Sequence, residues 1–248
     1  MRWTDNHCHL EQDMLEDTVA QASAAGVHRL VDVGTDAATS AAAVAKANAC
    51  HRVWATVGVH PHEAHHGTGG IDDLLGSDRV VAVGECGLDY HYNHSPPPVQ
   101  RAVFAAQIEM AHCHRLPLVI HTRKAWDDTF AILDESGVPE RVVFHCFTGG
   151  LDEARAALDR GAFLSFSGIV SFPSADEVRA AAELCPPDRL LVETDSPYLT
   201  PVPLRGRTNT PAYLPLVGEV LARVRDLDLE SVARLTWDNA TALYQFDS

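Results

Sequence analysis

Short apolar runs alternate along this chain with longer, Ala-rich segments whose apolar positions recur at helical spacing. Compact Val/Ile/Leu runs bounded by Gly, Pro or Asp read as buried strands, and the periodic segments read as amphipathic helices. The pattern predicts strands at Arg2–His9, His28–Val33, Val53–Val59, Val80–Glu85, Leu118–His121, Val142–His145, Phe163–Ser167 and Arg189–Glu193. It predicts helices near Leu15–Ala24, Ala37–Ala49, Ile71–Leu75, Val99–His114, Ala125–Ser136, Leu151–Arg160, Ala175–Leu184 and Tyr213–Arg225, with a last one over Glu230–Leu243. Ser174-Ala-Asp-Glu177 fits a capping box, and Gly26, Gly137 and Gly161 fit helix stops. Strand-then-helix units in this number predict an α/β fold of the (β/α)8 TIM-barrel type, with a doubly wound sheet as the alternative. The Pro/Gly-rich stretches Pro61–Gly70, His94–Pro98 and Pro197–Pro211 each follow a predicted strand and read as long loops at one mouth of the barrel. Nothing reads as a linker, so a single domain over 1–248 is expected.

Composition narrows the picture. With 248 residues, 46% of them hydrophobic, the chain can bury one large core. A formal charge of -15 argues against wrapping a nucleic-acid duplex, which needs a broad basic surface. It leaves room for a substrate held locally by cations and a few arginines. The six cysteines include no Cys-x-x-Cys pair and are expected to be free thiols in a reducing compartment. Cys8, Cys86 and Cys146 each follow a candidate ligand directly and should face away from it as packing residues. The N-terminus lacks the apolar stretch of a signal peptide, and no apolar run is long enough for a membrane. A cytoplasmic, monomeric protein without membrane contact or an obligate protein partner is expected.

The chemistry lies at the strand ends. In Asp5-Asn-His-Cys-His-Leu10, alternation along a strand turns His7 and His9 to the same side. Glu85, His121, His145 and Asp195 each close a predicted strand, where catalytic residues of such barrels sit. Each alone has an ordinary reading as a core histidine or a solvated carboxylate. Together they are hard to explain as packing, because buried carboxylates and imidazoles need partners and metal ions supply them.

These motifs are carried nearly end to end by a resemblance to the TatD family of metal-dependent hydrolases. It rests on Asp5-Asn-His-Cys-His-Leu10, Gly58-Val-His-Pro-His62, Gly84-Glu-Cys-Gly-Leu-Asp-Tyr90, His121-Thr-Arg-Lys-Ala125, His145-Cys-Phe-Thr-Gly149, Glu193-Thr-Asp-Ser-Pro197 and Arg205-Gly-Arg-Thr-Asn209. The resemblance implies two divalent ions, with Zn, Mn, Mg, Ni, Co and Fe all compatible with the donors. It puts one metal on His7, His9, Glu85 and Asp195, and the other on Glu85, His121 and His145, with Glu85 bridging. It implies a deoxyribonuclease that works from an end of single-stranded DNA, or on another phosphodiester, through a metal-activated water. Glu85 and Asp195 are the catalytic candidates, Asp195 orienting or deprotonating that water. The chain departs from the family pattern at Cys86, at Thr210 in place of a glutamate, and in the proline-rich His94–Pro98 segment that precedes Gln100.

His60, Arg123, Arg205 and Asn209 are candidate substrate contacts, with His62 and Arg207 weighed beside them. Tyr90, Phe147 and Tyr198 are aromatics that could stack on a base, and packing is favoured for Phe147. Trp3, Trp54, Trp126 and Trp237 read as structural. Two other readings stay open: hydrolysis of acyl esters or amides, as in a D-aminoacyl-tRNA deacylase, and a non-enzymatic metal-holding scaffold.

Overall fold

A computed structural model describes residues 1–246. Its strands are β1 (Trp3–Cys8), β2 (Val27–Val33), β3 (Val53–Val57), β4 (Val80–Asp89), β5 (Leu118–Arg123), β6 (Val142–Phe144), β7 (Phe163–Phe166) and β8 (Leu190–Val192). The helices are α1 (Leu15–Ala24), α2 (Ala37–Ala49), α3 (Pro97–His114), α4 (Trp126–Ser136), α5 (Leu151–Asp159), α6 (Asp176–Leu184), α7 (Leu214–Val224) and α8 (Leu229–Tyr244). The strands form one sheet in the order β1 to β8. The chain beyond β8 also returns to β1. Cys8 and Ser196 form a parallel bridge, the Asp195 N–H donates to the His7 carbonyl (2.9 Å), and the His9 N–H donates to the Ser196 carbonyl (2.8 Å). Sequential order with the last strand beside the first is the connectivity of a (β/α)8 barrel.

The chain divides into two compact units. One comprises Met1–Val31, His145–Asp159 and the chain from Phe163 onward; the other comprises Asp32–Phe144 with Arg160–Ala162. In the first, Trp3, Leu30, Phe147, Phe166, Leu214 and Leu221 are buried. Gly218 on α7 lies against the Trp3 ring, where a methyl group would collide with the indole. In the second, Phe104, Ile108, Leu118, Ile120 and Phe144 are buried, and Trp126 packs on Phe130 and Phe144. Among the described residues, no helix is long and apolar enough to cross a membrane.

The structure departs from the sequence pattern in four places. Between β3 and β4 there is no α-helix; 3-10 turns at Pro61–His66 and Asp72–Leu74 make the crossover. Gly67, Gly69, Gly70 and Gly76 leave too short an uninterrupted run for helix nucleation. Strand β4 runs on to Asp89, because its pairing with β5 continues through Leu88–Thr122 and Asp89–Arg123. Ser174 does not cap α6: the N-cap is Ala175, without a side-chain hydrogen bond. Cys146 lies beyond β6 and not on a strand, with a left-handed φ of 43°, and its Sγ is 3.2 Å from the Ser167 hydroxyl.

A reciprocal capping box is found instead at α2. Asp36 accepts from the Thr39 N–H (2.7 Å), and the Thr39 hydroxyl accepts from the Asp36 N–H (2.9 Å). Burial alone would raise the Asp36 carboxyl, but the Thr39 donors outweigh it and hold it below its ordinary value. Asp36→Ala should cost about 1 kcal/mol, seen as a melting temperature lowered by roughly 2–4 °C for a chain of this size. Because the folded-state pKa is depressed, this stabilisation is present above the unfolded value of 3.8 and lost as pH falls through the folded one. The wild-type and variant melting curves should therefore converge in acid.

Candidate metal centre

In the first unit, β1, the end of β6 and the end of β8 bring four functional side chains together. His7 is fully buried, and its Nε2 is 3.8 Å from Asp195 Oδ1; His9 Nε2 is 3.7 Å from the same oxygen. The His145 ring stacks on His7 with centroids 3.8 Å apart. Asp195 takes a left-handed φ of 55°, which turns the chain just past β8 and presents its carboxylate to these rings. Burial pushes the Asp195 carboxyl upward, but His9, His7 and His145 overcome it and hold it below the ordinary carboxylate value. It is therefore an anion among imidazoles.

Two further acidic side chains hold this group in place. Glu193 accepts at Oε1 from the Cys146 N–H (2.7 Å) and lies 3.2 Å from His145 Nδ1. A carboxylate is acceptor-only, so Nδ1 carries the proton and the neutral ring leaves its Nε2 lone pair for a cation. The other oxygen of Glu193, Oε2, is buried without a hydrogen-bond partner among the described residues. Such an orphan is costly unless a positive charge meets it. Asp5 ties β1 to the segment after β8 through the Thr194 N–H (2.8 Å) and hydroxyl (2.6 Å), and burial pushes its carboxyl up to about 8. Asn209 donates to the carbonyls of Thr194 (2.8 Å) and Tyr198 (2.6 Å), so its amide braces the loop after β8.

In the second unit, the ends of β3, β4 and β5 make another cluster. Glu85 Oε1 lies 3.1 Å from His121 Nδ1 and 3.5 Å from His60 Nε2. His121 Nε2 faces Asp89 Oδ2 at 3.2 Å, and His62 Nε2 shares that oxygen at 3.0 Å. Burial works to raise the Asp89 carboxyl. His121, the Tyr92 N–H and His62 reverse this and hold it well below the usual carboxylate range. Asp89 is thus an acceptor at physiological pH, and a neutral His121 keeps its proton on Nε2. Its Nδ1 lone pair then faces the Glu85 oxygen, an arrangement of two electron-rich atoms that a cation between them relieves. Donors about 2.1 Å from one tetrahedral ion lie roughly 3.4 Å apart, close to the spacing seen here.

His60 has a different character. Its Nδ1 accepts the His62 N–H at 3.1 Å, so the neutral ring carries its proton on Nε2 and is a donor. Gln100, fully buried, accepts the Asp89 N–H (2.8 Å) and donates to the Asp89 (3.1 Å) and Ser95 (2.7 Å) carbonyls, fixing the end of β4.

Of the residues expected at the site, His7, His9 and Asp195 form one group, His7 and His145 join Glu193 in an overlapping one, and Glu85 and His121 join His60 in another. Arg123 is exposed and stacks over Tyr92 at 4.8 Å. Arg205 stacks over Phe172 at 4.0 Å and donates to the Thr200 carbonyl (3.3 Å). The Tyr90 hydroxyl donates to Asp128 (2.6 Å), which makes it a fixed packing group, and Phe147 is buried as expected. Sequence reasoning passed over Glu193 and Asp89 as orienting carboxylates. The signal was present: Glu193 precedes Asp195 by two residues, and Asp89 follows Glu85 by four within one strand.

The family model described as TatD related DNase matches residues 4–245. The chain belongs to the TatD-related DNase family. The metal-dependent hydrolase YabD of Bacillus subtilis, described as uncharacterized, is 38% identical over 98% of this chain and 99% of its own length. The 3'-5' ssDNA/RNA exonuclease TatD of Salmonella typhimurium is 36% identical over 93% of this chain and 92% of its own. The crystal structure of YJJV, a TatD homolog from Escherichia coli, superimposes with a TM-score of 0.93 at 26% identity and covers 99% of both chains. The TatD fold is a TIM barrel, so the barrel expected from the strand–helix alternation holds here, and the doubly wound alternative does not. Membership also makes this chain a metal-dependent hydrolase, which removes the scaffold reading.

Proposed function

We propose that this TatD-family chain is an exonuclease that removes nucleotides from the 3' end of single-stranded DNA or RNA. The observation that carries it is Asp195: an anionic carboxylate among His7, His9 and His145 at the strand ends. His7, His9, His145 and Asp195 would hold one divalent cation, and Glu85 with His121 another. When bound, the cations supply the charge that neutralises a phosphoryl oxygen and acidifies a water. Asp195 would orient the attacking water and accept its proton, and Glu85 would help to hold the second ion. His60 donates from Nε2 to a phosphate oxygen. Glu193 and Asp89 keep His145 and His121 in the ligating tautomer.

Recognition of a strand end follows from what surrounds the site. Tyr198 is 63% exposed and stands edge-on to His9 with centroids 6.2 Å apart, a surface on which a terminal base can stack. Arg123, stacked on Tyr92, and Arg205, stacked on Phe172, offer guanidinium groups in fixed positions to phosphates. Asn209 contributes by holding the loop that carries Tyr198. The net charge of -15 disfavours a wrapped duplex and suits capture of a single-strand end.

The test is nucleotide release from end-labelled single-stranded DNA and RNA by metal-loaded protein. Stepwise shortening from the 3' end, abolished by chelator and restored by Mn, Mg or Zn, is the expected outcome. Chelation should also lower the melting temperature, since a cation bound only by the folded state stabilises it. Absence of release with metal bound, together with turnover of an aminoacyl ester, would move the reading to acyl hydrolysis, with Thr210 the first residue to examine.

A further inference from the structure

The turn after β3 carries a third group of donors, separate from both strand-end clusters. Glu63, His65 and His66 lie on the 3-10 turn Pro61–His66, and one ligating atom from each falls within 4.8 Å of the others. His66 Nε2 is 3.6 Å from Glu63 Oε2, near the roughly 3.4 Å expected of two donors on one tetrahedral ion. The His65 and His66 rings are 3.9 Å apart between centroids and inclined by 43°.

A second observation fixes which atom of His65 is offered. The Ser95 hydroxyl is fully buried and donates its only proton to the His62 carbonyl (2.8 Å). It accepts from the His65 N–H (3.1 Å) and lies 3.0 Å from His65 Nδ1. With its proton committed, Ser95 can only accept from Nδ1. The neutral His65 ring therefore carries its proton on Nδ1 and keeps a bare lone pair on Nε2. This is how the ligating histidine of a metal site is oriented from behind. The buried Gln100 amide holds Ser95 in turn through the Ser95 carbonyl, and the Asp36 carboxylate adds negative charge beside His66.

We propose that Glu63, His65 and His66 form a peripheral site for an imidazole-preferring divalent cation such as Zn2+ or Ni2+. Two nitrogens and one oxygen favour such ions over Mg2+ or Ca2+. The side chains of His66 and Glu63 are 65% and 39% exposed, so the ion exchanges freely with solvent and leaves a coordination position open to water. The site shares no residue with the proposed catalytic centre and does not depend on that reading.

The experiment uses full-length protein stripped with chelator and titrated with Zn2+, followed by calorimetry and elemental analysis. Wild type should bind one more Zn2+ per chain than His65→Gln/His66→Gln, and the missing phase should be the weakest. Hydrolysis at saturating metal should stay within about twofold. Ser95→Ala should weaken the same phase by roughly 10- to 100-fold. In an Asp195→Ala background that phase should persist, which separates this site from the catalytic one. Identical stoichiometry and isotherms in wild type and the double-histidine variant would overturn the proposal. If Ser95→Ala does not fold, the double-histidine comparison decides, since both of those side chains are on the surface.

Discussion

Asp195→Asn is expected to reduce hydrolysis by about 10²- to 10⁴-fold, the usual range for removing a positioned acid–base group. The amide matches the carboxylate in shape, so the turn after β8 and the Asp195 N–H bond to the His7 carbonyl survive. What is lost is the negative charge that His9, His7 and His145 share. Two effects then combine. The cation loses a charged ligand, which raises the metal concentration needed for activity. The water loses its proton acceptor, which lowers kcat even when metal saturates. Measuring kcat across a metal titration separates these effects. Activity within tenfold of wild type at saturating metal would remove Asp195 from the proton transfer and leave it a ligand only. Circular dichroism should match wild type, because the variant alters the site and not the sheet, while the melting temperature in chelator should fall, because the depressed Asp195 carboxyl contributes stability that an amide lacks.

Gly87→Ala carries the largest expected loss of stability. Gly87 pairs in register with His121, and a Cβ at this position would run into the His121 carbonyl. Its φ of 131° lies where L residues are strained. Strain of about 1–3 kcal/mol and overpacking of about 1–3 kcal/mol together predict a loss of roughly 2–6 kcal/mol in urea unfolding. The collision is with the backbone that presents His121, so metal affinity should fall along with stability. A variant as stable as wild type would mean that β5 shifts aside freely. Unaltered metal binding would then show that the position of His121 tolerates that shift.

Much of the site was legible because strand ends have a sequence signature. His-x-His in β1, and Glu85, His121, His145 and Asp195 after apolar runs, could be located from alternation and burial alone. Their supporting contacts were harder. His145 stacks on His7 and is held by Glu193. Stacking and tautomer depend on which side chain lies behind a ring, and that is a property of packing between distant segments. The same limit applies to Arg205, whose contact with Phe172 joins two loops, and to the α6 cap, where the local Ser174 signal lost to the path of the loop. The crossover between β3 and β4 was misread for a simpler reason. Its glycines permit only single turns, and one apolar turn resembles the start of a helix.

The seam between β1 and the end of β8 also bears on synthesis. Asp5 and Thr194 are 189 positions apart, and Tyr244 on α8 donates its hydroxyl to the Asn6 carbonyl across 238 positions. A chain emerging from the ribosome carries His7 and His9 well before Asp195, which lies 186 positions beyond His9, has been made. Until then the two imidazoles lack the carboxylate they share in the folded protein. The seam closes only after the segment beyond β8 has been made, so the site is among the last parts of the fold to assemble.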